Sequence, residues 1–152
     1  MNLPGVLTLR YAPYTWIDTA LYDRLVTSVH NWNEAIPFID EYDWLTMPLL
    51  HRSRSFSENP QRTEQGVHYE HVLEGVVPNL RPAVSGLLEE MEQYRYVCFL
   101  TDRNGKPWLI GTYDHPMSFS AEATTGGDAG LNSYRIRFFG QSPRRMFGYD
   151  PA

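Results

Sequence analysis

RYVCFLTDRNGKPWLIGTYDHPMSFSAEATTGGDAGLNSYRIRFFGQSPRRMFGY, residues 95–149, alternates strand-forming runs with turn formers and decides the fold class. Asn104-Gly105 lies between Tyr96–Leu100 and Trp108–Thr112. A type I′ turn needs positive φ at both central residues, which Asn and Gly tolerate, so a tight hairpin is expected there. Met117, Phe119, Ala121 and Ala123 alternate with Ser118, Ser120, Glu122 and Thr124. That is the period of a strand with one buried face. Tyr134, Ile136 and Phe138 alternate with Ser133, Arg135 and Arg137 in the same way. The C-terminal half is therefore expected to be an antiparallel meander of four strands.

Working outward from this stretch, Val84, Leu87, Leu88 and Met91 fall at i, i+3, i+4 and i+7, with Glu89, Glu90 and Glu92 off that stripe. This spacing predicts one amphipathic helix over about 80–94. Asn79 is a candidate cap, and Pro82 fits the first turn, where a missing N–H costs nothing. Further upstream, Leu49–Phe56 and Gly66–Val77 form an expected β pair. Its tip is placed at Ser57–Gln65, with Asn59-Pro60 starting the turn. Asn31–Pro48 carries Trp32, Phe38, Tyr42 and Trp44 between prolines and reads as an irregular segment that packs by its aromatics. Ile17, Leu21, Leu25 and Val29 suggest a second helix within 15–30, and Gly5–Tyr11 alternates like a first strand. The fold class expected is α+β: a mostly antiparallel, curved sheet, partly closed barrel or sandwich, in a single domain over 1–152 with an irregular aromatic segment at about 13–48.

Composition narrows the function. At 152 residues the chain can bury a substantial core. Hydrophobic residues at 42% and charged residues at 20% fit neither a disordered nor a membrane-embedded chain. A net charge of −5 opposes general nucleic-acid binding, which wants a basic face. Cys98 is the single cysteine, so no disulfide frame or cysteine zinc site is expected, and folding in a reducing compartment follows.

Chemical motifs are sparse. His68, Glu70 and His71 make the most metal-like cluster, but on a strand His68 and Glu70 point one way and His71 the other. A third ligand would have to come from His30, His51 or His115. Asp40, Glu41 and Asp43 offer neighbouring carboxylates among aromatics, the composition of a carbohydrate-binding or glycosidase-like cleft that would use Trp32 and Trp44. Residues 124–131, TTGGDAGL, are glycine-rich but lack the GK[ST] of a phosphate loop and a following helix. No G-x-S-x-G elbow occurs, and Cys98 has no adjacent histidine. No catalytic residue, cofactor or metal is assigned.

The order of elements from residue 66 to 149 resembles small structural proteins of bacteriophage tail modules, particularly those of prophage-like elements in Bacteroidetes. The likeness rests on D-x-N-G-x-x-W-x-x-G-T (Asp102, Asn104, Gly105, Trp108, Gly111, Thr112), a strand entering a Gly-rich loop, and F-x-G-x-S-P with a final aromatic (Phe138, Gly140, Ser142, Pro143, Tyr149). The resemblance implies a tail-tube-like or tail-completion-like protein without catalysis, located in the virion tail after synthesis in the host cytoplasm. Its partners would be copies of itself in a ring, together with other tail proteins, and neither a membrane nor specific nucleic acid. Residues expected at contacts are Trp32, Trp44, Asn59, Gly126, Gly127, Arg135, Arg137, Arg144, Phe147 and Tyr149, with Arg144–Ala152 as a docking arm. A regulatory protein that binds one host partner is a further reading without catalysis.

Overall fold

In a computed structural model, residues 6–18, 31–32, 36–47, 54–78, 81–124 and 133–149 are described. The strands are β1 (Val6–Pro13), β2 (Asn31–Trp32), β3 (Leu45–Thr46), β4 (Ser55–Thr63), β5 (Gly66–Pro78), β6 (Tyr96–Asp102), β7 (Pro107–Ile110), β8 (Ser118–Thr124), β9 (Ser133–Ser142) and β10 (Phe147–Tyr149). A 3-10 turn covers Tyr14–Trp16, and α1 covers Pro82–Met91. They form two open sheets, one in the order β2-β10-β7-β6-β1-β3 and one in the order β4-β5-β9-β8. Every pairing is antiparallel except the short one between β10 and β2. Among the described residues the architecture is a sandwich with one α-helix, and neither sheet closes into a barrel.

The expected four-strand meander is in fact two hairpins on different sheets. β6 pairs with β7, and β8 with β9, but β7 and β8 do not pair. The chain changes sheets between Gly111 and Met117, where Met117 makes one reciprocal bridge to Tyr96. Gly111 permits this corner with φ +73; a Cβ there would lie 2.9 Å from Met117 Cγ. Local alternation reveals each strand, but sheet membership is set by distant partners.

Register explains the inner face. Phe56, Leu73, Phe138 and Phe119 form one cross-strand row, and Gly75, Ile136 and Ala121 the next. Such rows interdigitate with the opposite sheet in sandwich packing. Leu9, Tyr11, Cys98, Leu100 and Ile110 come from that opposite sheet, and Leu88 and Met91 of α1 complete the cluster. A second cluster lies on the other face of the six-stranded sheet, where Ala12, Val97, Leu109 and Tyr149 meet Ile17, Ile36, Phe38 and Trp44. Tyr96–Leu100 is almost continuously apolar because both its faces are covered: Tyr96, Cys98 and Leu100 enter the first cluster, Val97 and Phe99 the second.

Three further expectations change. Gly105 has φ +81, while Asn104 has no positive φ, so the β6–β7 turn is not type I′. Instead Gly105 N–H donates to Asp102 O and Asp102 N–H to Lys106 O, the three-residue arrangement with a left-handed glycine. Asn59-Pro60 does not start a turn; β4 runs through it to Thr63, and Glu64-Gln65 form the tip. Proline is tolerated there because β4 is an edge strand. On α1, Leu87 is 54% exposed although its spacing places it on the apolar stripe. Helical geometry sets it about 60° off the line through Val84, Leu88 and Met91, enough to miss the core. Pro82 is the first helical residue, and Arg81 occupies the cap without a side-chain bond. Asn79, residues 19–30 of the expected first helix, and Leu49–Ser53 lie outside the described residues.

Candidate functional site

Among the described residues β4 is the longest outermost strand of either sheet, nine residues against two each for β2 and β3 and seven for β8. Ser57, Asn59, Pro60 and Gln61 on this strand are exposed. On one side it bonds to β5; along the other, among the described residues, no strand is paired with it. Beyond Tyr69, β5 loses β9 and pairs only with β4, so the hairpin tip projects past the sheet.

One side chain anchors this ribbon. Glu58 and His71 are direct cross-strand neighbours, and both turn to the inner face. His71 is 3% exposed. Glu58 Oε1 accepts His71 Nε2–H at 2.9 Å and the Met146 N–H at 2.6 Å, while Oε2 accepts from Arg145 at 2.9 Å. A carboxylate only accepts, so the His71 proton facing it resides on Nε2. Burial alone would raise the Glu58 carboxyl, but the Met146 N–H, His71 and Arg145 outweigh it and hold it below its ordinary value. Phe56 stacks on the His71 ring at 6.0 Å, and Arg145 covers Tyr69 at 4.6 Å. Met146 leads directly into β10, so Glu58 ties an edge of the four-stranded sheet to the segment entering the six-stranded one.

The contact residues expected from sequence do not gather in one place. Asn59 is exposed on the β4 edge. Arg135 and Arg137 share the outer face of β9; Arg137 lies 3.8 Å from Glu74 and over the Phe139 ring. Arg135 is the cross-strand neighbour of Glu122. Arg144 is exposed in the turn after β9, its N–H bonded to Ser142 Oγ. Gly126 and Gly127 lie outside the described residues, and Trp32 is placed by its backbone alone, paired with Tyr149.

Phe147 and Tyr149 correct the expectation of a docking arm. They form β10, and the buried Tyr149 hydroxyl accepts the Ile36 N–H at 3.0 Å. Its ring packs on Phe99 at 4.9 Å. These aromatics are consumed inside the chain because the second face of the six-stranded sheet needs a cover.

The acidic aromatic segment is built similarly. Trp44 is half-buried against Phe38, Phe99 and Tyr149. Asp40 and Asp43 are exposed, and Asp43 Oδ1 accepts the Trp44 N–H. Of the histidines, His71 is taken by Glu58, His115 is exposed in a turn, and His30 and His51 lie outside the described residues. Among the described residues no three His, Cys, Asp or Glu side chains converge. Cys98 is fully buried, and burial pushes its thiol up. No helix among the described residues is long and apolar enough to cross a membrane.

The Glu58 cluster was missed from sequence. Glu58 and Arg145 are 87 positions apart, and no local pattern links them. The one available signal was His71, a charged-type residue on the apolar phase of β5 with Leu73 and Val77. No protein family, curated protein or solved structure matches the chain.

Proposed function

We propose that this chain is a non-enzymatic structural protein of a bacteriophage or prophage tail module, in a tube, connector or tail-completion role. It assembles with copies of itself, as a ring or tube subunit, through the edge of its four-stranded sheet. The observation that supports this most is β4, a nine-residue edge strand with an exposed outer side. Long open edges are usually shortened, charged or covered because they recruit other strands. β2 and β3 are short, and α1 packs beside β8, whereas β4 is neither short nor covered among the described residues. Glu58 ties the strand down from its inner face, a contact that uses none of the strand's outer backbone groups.

Pro60 restricts how that edge is used. A proline nitrogen in a sheet belongs on the solvent side of an edge strand, so it removes one donor and opposes indiscriminate pairing. By alternation the Arg62 N–H points the same way. Strand addition would therefore engage β4 beside Pro60. Self-association is tested by light scattering coupled to size-exclusion chromatography, comparing the parent with Arg62→Pro. The expected result is a multiple of the single-chain mass that falls in the variant. A single-chain mass for both would refute the reading.

A further inference from the structure

A groove of about 390 Å³ separates the C-terminal half of α1 from the β1–β3 edge and the 3-10 turn. Two kinds of group line it. Pro13, Leu45, Leu87 and Met91 give aliphatic walls, with Leu45 40% and Leu87 54% exposed. Trp16 and Tyr94 supply accessible aromatic rings, the buried Tyr11 and Tyr96 add to the lining, and Glu90 contributes a carboxylate. Trp16 is fixed by Tyr42, whose ring stacks on one indole face at 4.3 Å and 7°. Tyr94 is 52% exposed.

Among the described residues, Glu90 is the one charged side chain that lines the groove, and no lysine, arginine or histidine does. Glu89 and Glu90 occupy the last turn of α1, Glu92 caps it, and that turn holds no basic residue. Acidic side chains at a helix C-terminus add to the negative end of the helix dipole, where cations are favoured. Burial first, then Tyr11 and the Glu90 carboxylate, push the Tyr96 hydroxyl above its ordinary range.

We infer that this groove receives an arginine or lysine side chain from a protein partner. The apolar walls match its methylene stem, and the Tyr94 and Trp16 rings together with Glu90 match its cationic head. Long basic side chains lay their stems along apolar surface while the head seeks π faces and carboxylates. Arginine fits best, because its planar head stacks on aromatic rings as well as bonding to a carboxylate. This inference does not rest on self-assembly and would stand for a monomer.

The test uses the full chain and N-acetyl-arginine amide as probe, with N-acetyl-citrulline amide as its uncharged isostere, in NMR titrations. The expected result is saturable shifts at Trp16, Met91 and Tyr94 but not at Trp108, with arginine preferred over citrulline. Glu90→Gln should weaken arginine binding by roughly threefold to fivefold, as removal of an exposed ion pair does. Tyr94→Leu, which keeps the apolar contact and removes the π face, should weaken it by about twofold to fivefold. Both residues are exposed, so both variants are expected to fold. Equal binding of citrulline, unchanged affinity in Glu90→Gln, or shifts confined to other regions would overturn the assignment.

Discussion

Replacing Glu58 by alanine removes the one acceptor shared by His71 Nε2–H and the Met146 N–H. His71 is 3% exposed, so water does not readily replace the lost partner. Each buried donor left without an acceptor costs about 1–3 kcal/mol. The two together set an expected loss of about 2–6 kcal/mol. Arg145 is omitted from that sum because it is on the surface. Glu58→Gln can keep a carbonyl for both buried donors and turn its amide toward Arg145, so only the charge assistance is lost and about 1–2 kcal/mol is expected. Urea denaturation followed by tryptophan fluorescence measures both, and a double-mutant cycle with His71→Ala should give a coupling of about 1 kcal/mol or more.

Acid provides a second reading of the same contact. Glu58 is held below its ordinary value of 4.5, so the folded state favours the carboxylate. That contribution is fully present above the unfolded value and is lost as pH falls through the lower folded value. The stability gap between the parent and Glu58→Gln that arises from the carboxylate should therefore narrow below about pH 4.5. An alanine variant within about 0.5 kcal/mol of the parent, the range of ordinary surface substitutions, would refute the reasoning. So would a zero coupling to His71.

Gly111→Ala should destabilise by about 1–3 kcal/mol, since it combines a positive φ with overpacking against Met117. Gly105→Ala, with open space at its Cβ, should cost only the conformational part, about 1 kcal/mol; equal losses in denaturant melts would contradict the close approach at Gly111. Gly86→Ala meets nothing within 4 Å and should raise stability by about 0.5–1 kcal/mol through helix propensity, visible as a higher melting temperature. Cys98 should resist a thiol-reactive dye in the native protein and react at once in denaturant, because it is buried and its thiolate is disfavoured.

Strand identity was legible where one face is buried and the other wet. Phe119 and Ala121 on β8, and Ile136 and Phe138 on β9, follow the two-residue period with no help from elsewhere. The α+β class was legible for the same reason. Partnership was not: nothing near Gly111 or Met117 says that the chain leaves one sheet there for the other. Asn59-Pro60 reads as a turn in any local scheme, and only the edge position of β4 makes it compatible with a strand. Leu87 shows the limit of helical spacing, because a residue on the flank of a stripe is buried only if a neighbour reaches it. The Glu58 cluster depends on residues 87 and 88 positions away and was beyond any pattern reading. The aromatic excess had two possible outlets, partners or the chain's own second face. Trp44, Phe147 and Tyr149 took the second, while Tyr42, Leu45, Leu87 and Tyr94 remain at the surface.

Solution mass across a wide concentration range bears most directly on whether this sheet edge is made for assembly. One chain weighs 17.6 kDa. Light scattering should give a multiple of that mass which Arg62→Pro reduces. A single-chain mass at every concentration, in parent and variant alike, would contradict it.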